Sequence, residues 1–301
     1  MTTTPPAGNV FSPGLDRVVQ TALTEDLGLG GDLTTRLTVP EDALGTAYIV
    51  SREEGVLSGG DAATATFLAV DPSLQIEWAK QAGDKLAAGD LVATVSGSAR
   101  SVLTAERTAL NLLGHLTGIA SRTSVFVDLV DGTKARIVDT RKTTPGLREL
   151  EKRAVLHGGG TNHRFGLYDA ILVKDNHIGL GGGLLPVLQR LAADSGHLVR
   201  VEIEVDTIEQ LDTLLAFDVE RIEQGLAPVV HAVLLDNMEA WQVATGVSHI
   251  RRHPAPLITE VSGGVDEETV QELARAGADA ISIGALTHSV TCHDFGLDLQ
   301  V

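Results

Sequence analysis

The chain has a single cysteine, Cys292, among its 301 residues. One cysteine excludes a disulfide within the chain and any metal site built from several thiolates. A reducing compartment is the simplest interpretation, so we expect a cytoplasmic location. Aromatic residues make up only 3% of the chain, which leaves little material for a surface that stacks nucleic-acid bases.

Long apolar runs and positive charge are also scarce. No stretch approaches the ~20 residues needed to span a bilayer, and the polar start MTTTPPAGNVFSPG lacks the pattern of a secretory signal. Because 23 Lys and Arg stand against 40 Asp and Glu, the net charge is −17. A field of this sign repels phosphodiester backbones and anionic lipid, and argues against nucleic-acid or membrane-surface partners.

The pattern that is present changes along the chain. Residues 1–14 are interpreted as a loose arm, and short β-like runs separated by turns predict a small strand-rich layer between residues 45 and 100. A long helix is predicted from about Val102 to Val130. Short continuous apolar runs then alternate with helix-like stretches, at residues 136–139, 170–174, 199–205, 232–236, 256–261 and 280–284. This alternation predicts βα units and a parallel sheet, arranged as an incomplete barrel or an open doubly wound sheet.

Polar or glycine residues follow each of these six runs. The carboxyl ends of parallel strands meet at one mouth, which is where such folds place their sites. A single polar strand end is usually a helix cap, but six in succession are hard to explain by capping alone. The residues singled out in this way are Arg141, Lys142, Lys174, Glu204, Asp236, Ser262, Gly263, Gly264 and Gly284.

Basic residues concentrate in residues 134–175, where nine Lys and Arg stand against five Asp and Glu, a local balance of +4. Guanidinium and ammonium groups suit carboxylates and phosphates, so we predict a small, multiply charged anionic ligand. The predicted ligand-binding residues are Arg141, Lys142, Arg164 and Lys174. We expect Arg148, Lys152 and Arg153 to lie on a solvated charged helix.

Acids and glycines at the later strand ends complete the predicted site. Carboxylates in an anion site make sense if a divalent cation bridges them, and Mg²⁺ takes one or two carboxylates plus phosphate oxygens. Glu204 and Asp236 are therefore candidate Mg²⁺ ligands. The glycines after the last two strands predict a phosphate cradle. Together these features predict a phosphorylated substrate and a carboxylated one.

Six ordered motifs closely resemble those of the quinolinate phosphoribosyltransferase family. They are AERTALNLLGHLTGIAS (105–121), DTRKTTPGLRELEKRAVLHGGGTNHRFGLYDAILVKDNHI (139–178), VEIEVDT (201–207), VLLDN (233–237), EVSGGV (260–265) and GADAISIGALTHS (277–289). The match covers nearly the whole chain from about Ala22. Two stretches depart from the usual pattern: residues 217–230 look longer than the family's usual link, and the tail VTCHDFGLDL differs from the common version.

The resemblance implies a type II phosphoribosyltransferase fold, in which an N-terminal α/β sandwich domain accompanies an open seven-stranded α/β barrel. We place the sandwich at residues 1–115, completed by the tail 288–301, and the barrel at residues 116–287. The resemblance also implies a homodimer, in which the sandwich of one subunit covers the barrel mouth of the other.

The implied reaction transfers the phosphoribosyl group of phosphoribosyl pyrophosphate to quinolinate, with Mg²⁺, in de novo NAD synthesis. Its products are nicotinate mononucleotide, pyrophosphate and CO₂. One alternative is a paralogue of the same fold that acts on another aromatic acid, such as the molybdenum-transport-associated relative or a nicotinate-type enzyme. Another is a non-catalytic binding protein on a retained barrel.

The resemblance also implies a role for each matching residue. Arg107 would reach quinolinate across the dimer interface. Glu204 and Asp236 would bind ribose hydroxyls and Mg²⁺, and with Lys142 and Lys174 they are the predicted catalytic residues. The carboxylates and phosphates of the substrates would be held by Arg141, Lys142, His163, Arg164 and Lys174, and the 5′-phosphate by Ser262, Gly263, Gly264 and Gly284. His163 could transfer a proton or only contact the ligand.

Overall fold

A computed structural model describes residues 13–300, so most of the predicted arm at residues 1–14 lies outside the described residues. The first elements are α1 (Pro13–Leu27), α2 (Leu33–Thr38), β1 (Leu44–Ser51), β2 (Gly55–Val56), α3 (Gly60–Val70), β3 (Gln75–Trp78), β4 (Lys85–Leu86), β5 (Leu91–Ser98) and α4 (Ala99–Leu129). They are followed by β6 (Arg136–Val138), α5 (Arg148–His157), β7 (Ile171–Val173), α6 (Asp175–Leu180), α7 (Leu184–Asp194), β8 (Val201–Val205), α8 (Ile208–Glu223), β9 (Ala232–Asp236), α9 (Ala240–Ile250), β10 (Ile258–Ser262), α10 (Val270–Arg275), β11 (Ala280–Ser282), α11 (Ala285–His288) and β12 (Phe295–Gln300). Among the described helices, none has the length and apolar character that crossing a bilayer requires.

The described chain divides into two compact units. The first contains the residues up to Arg122, Thr143–Gly158 and the residues from Ser289 onward. The second contains Thr123–Lys142 and Gly159–His288. The predicted division places residues 143–158 in the barrel, whereas here this segment, which carries α5, groups with the first unit.

Helix α5 is anchored in the first unit by a buried carboxylate. The Glu151 side chain accepts hydrogen bonds from His115 Nε2 at 2.8 Å and from the backbone N–H of Thr144 at 3.0 Å. Glu151 and Lys152 are 0% and 1% exposed. The expectation of a solvated charged helix is therefore wrong for Lys152, because α5 turns charged side chains inward, where burial requires partners.

The first unit is built on an antiparallel layer, at the place where the sequence predicts a small strand-rich layer. Its main sheet, within the described residues, has the strand order β12-β1-β5-β3, and every pairing in it is antiparallel. Ala47 and Ile49 alternate with more exposed residues along β1, since successive side chains of a strand point to opposite faces. They share one buried cluster with Phe67 of α3 and Leu113 of α4.

The second unit is built on a parallel sheet with the order β6-β11-β10-β9-β8-β7 in the described part of the chain. All six parallel strands predicted from the sequence are present, and the α/β class is confirmed. On β8, Val201, Ile203 and Val205 are at most 1% exposed. Glu202 and Glu204 alternate with them and lie on the opposite face of the strand.

Thr161 occupies the place of a seventh strand but contributes only one parallel bridge, to Val138. Its N–H donates to the Ile137 carbonyl at 2.8 Å, and its carbonyl accepts from the Asp139 N–H at 3.2 Å. Beyond this point the Asp139 carboxylate accepts from the backbone N–H of His163 at 2.8 Å. The described sheet therefore has six strands and this bridge where the resemblance implies seven strands.

The long segment at residues 217–230 extends α8 and returns to the sheet through a loop that Asp218 anchors. The Asp218 side chain is 0% exposed. Its carboxylate accepts from the backbone N–H groups of Val229 at 2.8 Å and Val230 at 3.1 Å, directly before β9. The bond pair satisfies two buried donors that would otherwise be costly.

We expect Asp218→Ala to lower the free energy of unfolding by roughly 2–4 kcal/mol, because two buried N–H groups lose their acceptor. Thermal unfolding followed by circular dichroism measures the change. The matched control is Glu220→Ala, at an exposed position of the same helix where the carboxylate accepts from the Gln224 side chain, for which we expect a change below about 0.5 kcal/mol. Equal melting temperatures for the two variants would contradict the anchoring role.

Candidate active site

The carboxyl ends of the parallel strands open onto a cavity of about 550 Å³ in the second unit. Its wall is formed by residues that follow β6, β7, β9, β10 and β11. Among the residues predicted from the sequence, the cavity brings together Arg141, Lys142, His163, Arg164, Lys174, Asp236, Ser262, Gly263, Gly264 and Gly284. Convergence of parallel strand ends thus places residues that are distant in sequence around one space.

Two predicted residues lie elsewhere. Glu204 is 5% exposed and forms an ion pair with the Lys174 ammonium, so it reaches the cavity through that lysine. Arg107 lies on α4 in the first unit, where its side chain is 66% exposed.

Hydrogen bonds fix the segment that carries Arg141 and Lys142. The Lys142 carbonyl accepts from Thr287 Oγ1 of α11 at 2.8 Å, and the Lys142 N–H donates to Thr140 Oγ1 at 3.0 Å. These bonds hold the chain that leaves β6 at the edge of the cavity.

Arg164 approaches the cavity from the segment before β7. One of its guanidinium nitrogens donates to the Ala170 carbonyl at 3.0 Å. Burial, and then the charge of Arg141, lower the pKa of Arg164, although a guanidinium stays protonated in proteins. Because the charges of Arg141 and Arg164 lie near each other at a partly buried position, a bound anion would stabilise both.

The pKa values of the two acids of the site, Glu204 and Asp236, are shifted in the opposite direction. Burial raises the pKa of Glu204, and the hydrogen bond and charge of Lys174 oppose that shift. Burial also raises the pKa of Asp236, again opposed by Lys174. Since a neighbouring positive charge favours the ionised form of such groups, this corner of the cavity is suited to a cation with a preference for oxygen ligands.

Glycines let the backbone itself form part of the cavity wall. Gly263 has a φ of +95° and Gly264 a φ of +60°, which favour glycine. A Cβ on Gly263 would lie 2.2 Å from Asn237 Oδ1, and a Cβ on Gly284 would lie 2.9 Å from Lys142 Cδ. Gly263 therefore requires glycine, a side chain at Gly284 would displace Lys142, and backbone N–H groups without side chains are suited to phosphate binding.

The residues below the mouth include two carboxylates that the sequence analysis missed. His163 Nε2 lies 3.0 Å from Glu202 Oε2 and 3.5 Å from Glu260 Oε2. Burial, and then the neighbouring Glu202 carboxylate, raise the pKa of Glu260 to about 7. The three side chains offer ligand atoms within 4.8 Å of one another, so they could also hold a metal ion. The alternation in VEIEV, which places Glu202 on the same strand face as Glu204, was an available signal.

Family comparisons cover almost the whole chain. Residues 32–117 match the family model described as quinolinate phosphoribosyl transferase, N-terminal domain, and residues 119–298 match the model for its C-terminal domain. The two matches together cover most of both compact units.

Curated relatives and solved structures agree with these matches. The chain is 43% identical to the nicotinate-nucleotide pyrophosphorylase (carboxylating) of Mycobacterium leprae, over 93% of this chain and 95% of that protein. It is 37% identical to the probable enzyme of the same name from Bacillus subtilis, over 95% and 94% of the two chains. The structure of the nicotinate-nucleotide pyrophosphorylase from Francisella tularensis superposes with a TM-score of 0.84 at 36% identity, covering 95% of this chain and 96% of that one. The chain therefore belongs to the quinolinate phosphoribosyltransferase family.

Proposed function

We propose that this protein transfers the phosphoribosyl group of phosphoribosyl pyrophosphate to quinolinate and releases CO₂, in de novo NAD synthesis. The products are nicotinate mononucleotide and pyrophosphate. The observation that carries the proposal is the convergence of Arg141, Arg164 and Lys174 on one cavity that glycine backbone also lines. A dicarboxylate needs several cationic partners, and a phosphorylated co-substrate needs backbone donors.

Quinolinate would lie against the basic side of this cavity. Arg141 and Arg164 offer planar guanidinium forks for its two carboxylates, and Lys174 adds a compact charge. His163 lies beside Arg164 in the chain and lines the same wall. The phosphate of the co-substrate would take the glycine-lined side, at Ser262, Gly263, Gly264 and Gly284.

Mg²⁺ fits the part of the cavity that lies near the carboxylates of Glu204 and Asp236. Asp236 lines the cavity, Glu204 lies behind Lys174, and burial raises the pKa of both carboxyl groups. Two carboxylates plus substrate oxygens are a donor set that Mg²⁺ accepts. When bound, Mg²⁺ would neutralise charge on the pyrophosphate.

The chain's own residues would then act mainly by positioning and charge. As the bond between the ribose carbon and pyrophosphate breaks, the Lys142 ammonium stabilises the charge that leaves. The carboxylates of Glu204 and Asp236 stabilise the positive charge on the ribose carbon, as in glycosyl transfer. The ring nitrogen of quinolinate bonds to that carbon and becomes cationic. Its positive charge then stabilises the electron pair left on the ring when the adjacent carboxylate departs as CO₂, and that carbon takes up a proton from water to give nicotinate mononucleotide.

The proposal extends to a homodimer in which Arg107 of one subunit reaches the cavity of its partner. Arg107 is 66% exposed in the described chain. Leu29, Leu33 and Leu37 lie close together in sequence and are 110%, 55% and 79% exposed, which supports an apolar contact between copies.

The exposed free thiol of Cys292 supports a location in the reducing cytoplasm.

An activity assay tests the proposed function. Purified protein is incubated with quinolinate, phosphoribosyl pyrophosphate and Mg²⁺, and nicotinate mononucleotide and CO₂ are measured. We expect both products in equal amounts, with nicotinate a poor competitor because it has one carboxylate fewer for the basic side. Absence of both products, or equal use of nicotinate, would refute the assignment in favour of a binding protein or of a paralogue for a monocarboxylate.

We expect Arg141→Ala and Lys174→Ala to lower kcat/KM by about 10²-fold or more, the typical cost of removing a group that stabilises developing charge. Both variants should stay folded by circular dichroism. The matched control is Arg252→Ala, an exposed arginine of the same unit that bonds Ser248, and it should remain within twofold of the unaltered protein. Unchanged kcat/KM in either cavity variant would remove that residue from the proposed site.

Subunit complementation tests the donation of Arg107. Arg107→Ala and Lys174→Ala should each be inactive alone, while a mixture allowed to exchange subunits should recover part of the activity. Recovery arises because a hybrid dimer contains one cavity with both residues intact. No recovery, despite exchange verified by native mass spectrometry, would place Arg107 outside the partner's cavity.

A further inference from the structure

We propose that Glu202 and Glu260 are positioning residues, which hold the His163 ring in one tautomer and thereby fix the backbone of Arg164 beside the quinolinate pocket. The inference rests on the proposed function for the identity of the ligand, but its geometry belongs to the ligand-free protein. It also assigns His163 a role as a ligand-contact and anchoring residue rather than a proton donor.

The hydrogen bonds of His163 determine its tautomer. The backbone N–H of Arg164 donates to His163 Nδ1 at 2.7 Å. A backbone N–H always carries its proton, so Nδ1 must present its lone pair, and the neutral ring then carries hydrogen on Nε2. That Nε2–H points at two carboxylates, with Glu202 Oε2 at 3.0 Å and Glu260 Oε2 at 3.5 Å.

Burial makes this arrangement necessary. The side chains of His163, Glu202 and Glu260 are 14%, 12% and 6% exposed. A buried ring N–H must find an acceptor, and a buried carboxylate must find a donor. The ring N–H and the Glu202 carboxylate therefore satisfy each other, and removal of either leaves its partner uncompensated. Glu260 adds a second carboxylate at 3.5 Å from Nε2.

The strand order of the sheet brings the side chains of Glu202 and Glu260 close to each other. Glu202 on β8 and Glu260 on β10 are separated by β9, where Leu234 pairs in register with Glu260 and also with Glu204 of β8. Glu204 and Glu202 share one strand face. His163 comes from the segment after Thr161, and the Asp139 carboxylate holds its backbone N–H.

Arg164 connects the orientation of the His163 ring to the quinolinate pocket. Its N–H is bonded to the His163 ring, and its guanidinium is bonded to the Ala170 carbonyl. A ring that loses its acceptors can turn, and the Arg164 N–H then loses its partner. Glu202 thus acts on the ligand through His163 and Arg164 and needs no contact with the ligand, whereas Glu260 supports the same ring and also lines the cavity.

The same three side chains could instead ligate a transition metal, since their ligand atoms lie within 4.8 Å of one another. A metal at Nε2 would replace the proton that the N–H···O contact uses. The separation of 3.0 Å between Nε2 and Glu202 Oε2 is that of a hydrogen bond. We therefore favour the protonated network, and the experiment below separates the two.

The first measurement is nitrogen-15 NMR of the ligand-free full chain at pH 7.5, which reports the protonation of each ring nitrogen. We expect His163 to be the Nε2–H tautomer in the unaltered protein, and a mixture of tautomers in Glu202→Ala. The Nδ1–H tautomer or a doubly protonated ring in the unaltered protein would overturn the proposal, and this outcome requires no variant to fold.

The second measurement is calorimetric binding of quinolinate and, separately, of phosphoribosyl pyrophosphate. Glu202→Ala should weaken quinolinate binding by about tenfold, the cost typical of removing the carboxylate behind a positioned histidine. Glu202→Gln should restore most of the affinity, because its amide oxygen can accept the Nε2–H. Binding of phosphoribosyl pyrophosphate should change less than twofold. In a His163→Ala background, Glu202→Ala should have no further effect, since residues of one network are not additive.

Asp218→Asn is the control, because Asp218 is a buried carboxylate of the same unit that accepts from the backbone N–H groups of Val229 and Val230, in the loop before β9. It should leave the His163 tautomer and quinolinate affinity unchanged. Additive effects of Glu202→Ala and His163→Ala, or one metal ion per chain in the purified protein that Glu202→Ala lacks, would overturn the positioning role. If the unaltered protein binds no quinolinate, the proposed function fails, while the tautomer in the ligand-free protein still decides the role of Glu202.

Discussion

Buried carboxylates need compensation, and in the second unit this need connects the residues of the cavity to one another. Glu204 is paired with Lys174, Glu202 with His163, and Asp139 with the backbone N–H of His163. An isolated buried charge costs several kcal/mol, so each acid dictates where a base or a donor must lie. The bases placed in this way, with Arg164 beside them, are the groups that a small anion would meet.

Parallel topology makes such a network possible in a strongly acidic chain. The net charge of −17 is distributed over the whole sequence, whereas residues 134–175 carry a balance of +4. The strand order brings this basic segment, from the ends of β6 and β7, to the acids of β8 and β9 and the glycines after β10. The global charge therefore disfavours polyanionic partners, while the cavity itself favours small anions.

The parallel strands and the residues at their carboxyl ends could be predicted from the sequence, because both are marked by local sequence patterns. Continuous apolar runs ending in polar residues locate β6 to β11 and the site residues at their ends. Arg164 was found through the local basic charge, and the role of His163 only through the family resemblance. The alternation in VEIEV places Glu202 on the face of Glu204, but its pairing with His163, and the position of Glu260, depend on which strands become neighbours. The burial of Lys152 was missed for a related reason: a charged helix looks solvated until the partners of Glu151 are known. The single bridge at Thr161 was missed because one residue of backbone pairing leaves no periodic pattern in the sequence.

A crystal structure of the protein with quinolinate bound tests the central claim, that this cavity is built for a dicarboxylate anion. The account predicts quinolinate in the cavity of the second unit, with its carboxylates bonded to Arg141, Arg164 and Lys174, and with His163 still bonded to Glu202. Quinolinate bound outside this cavity, or with a carboxylate facing water and no basic side chain in contact, would contradict it.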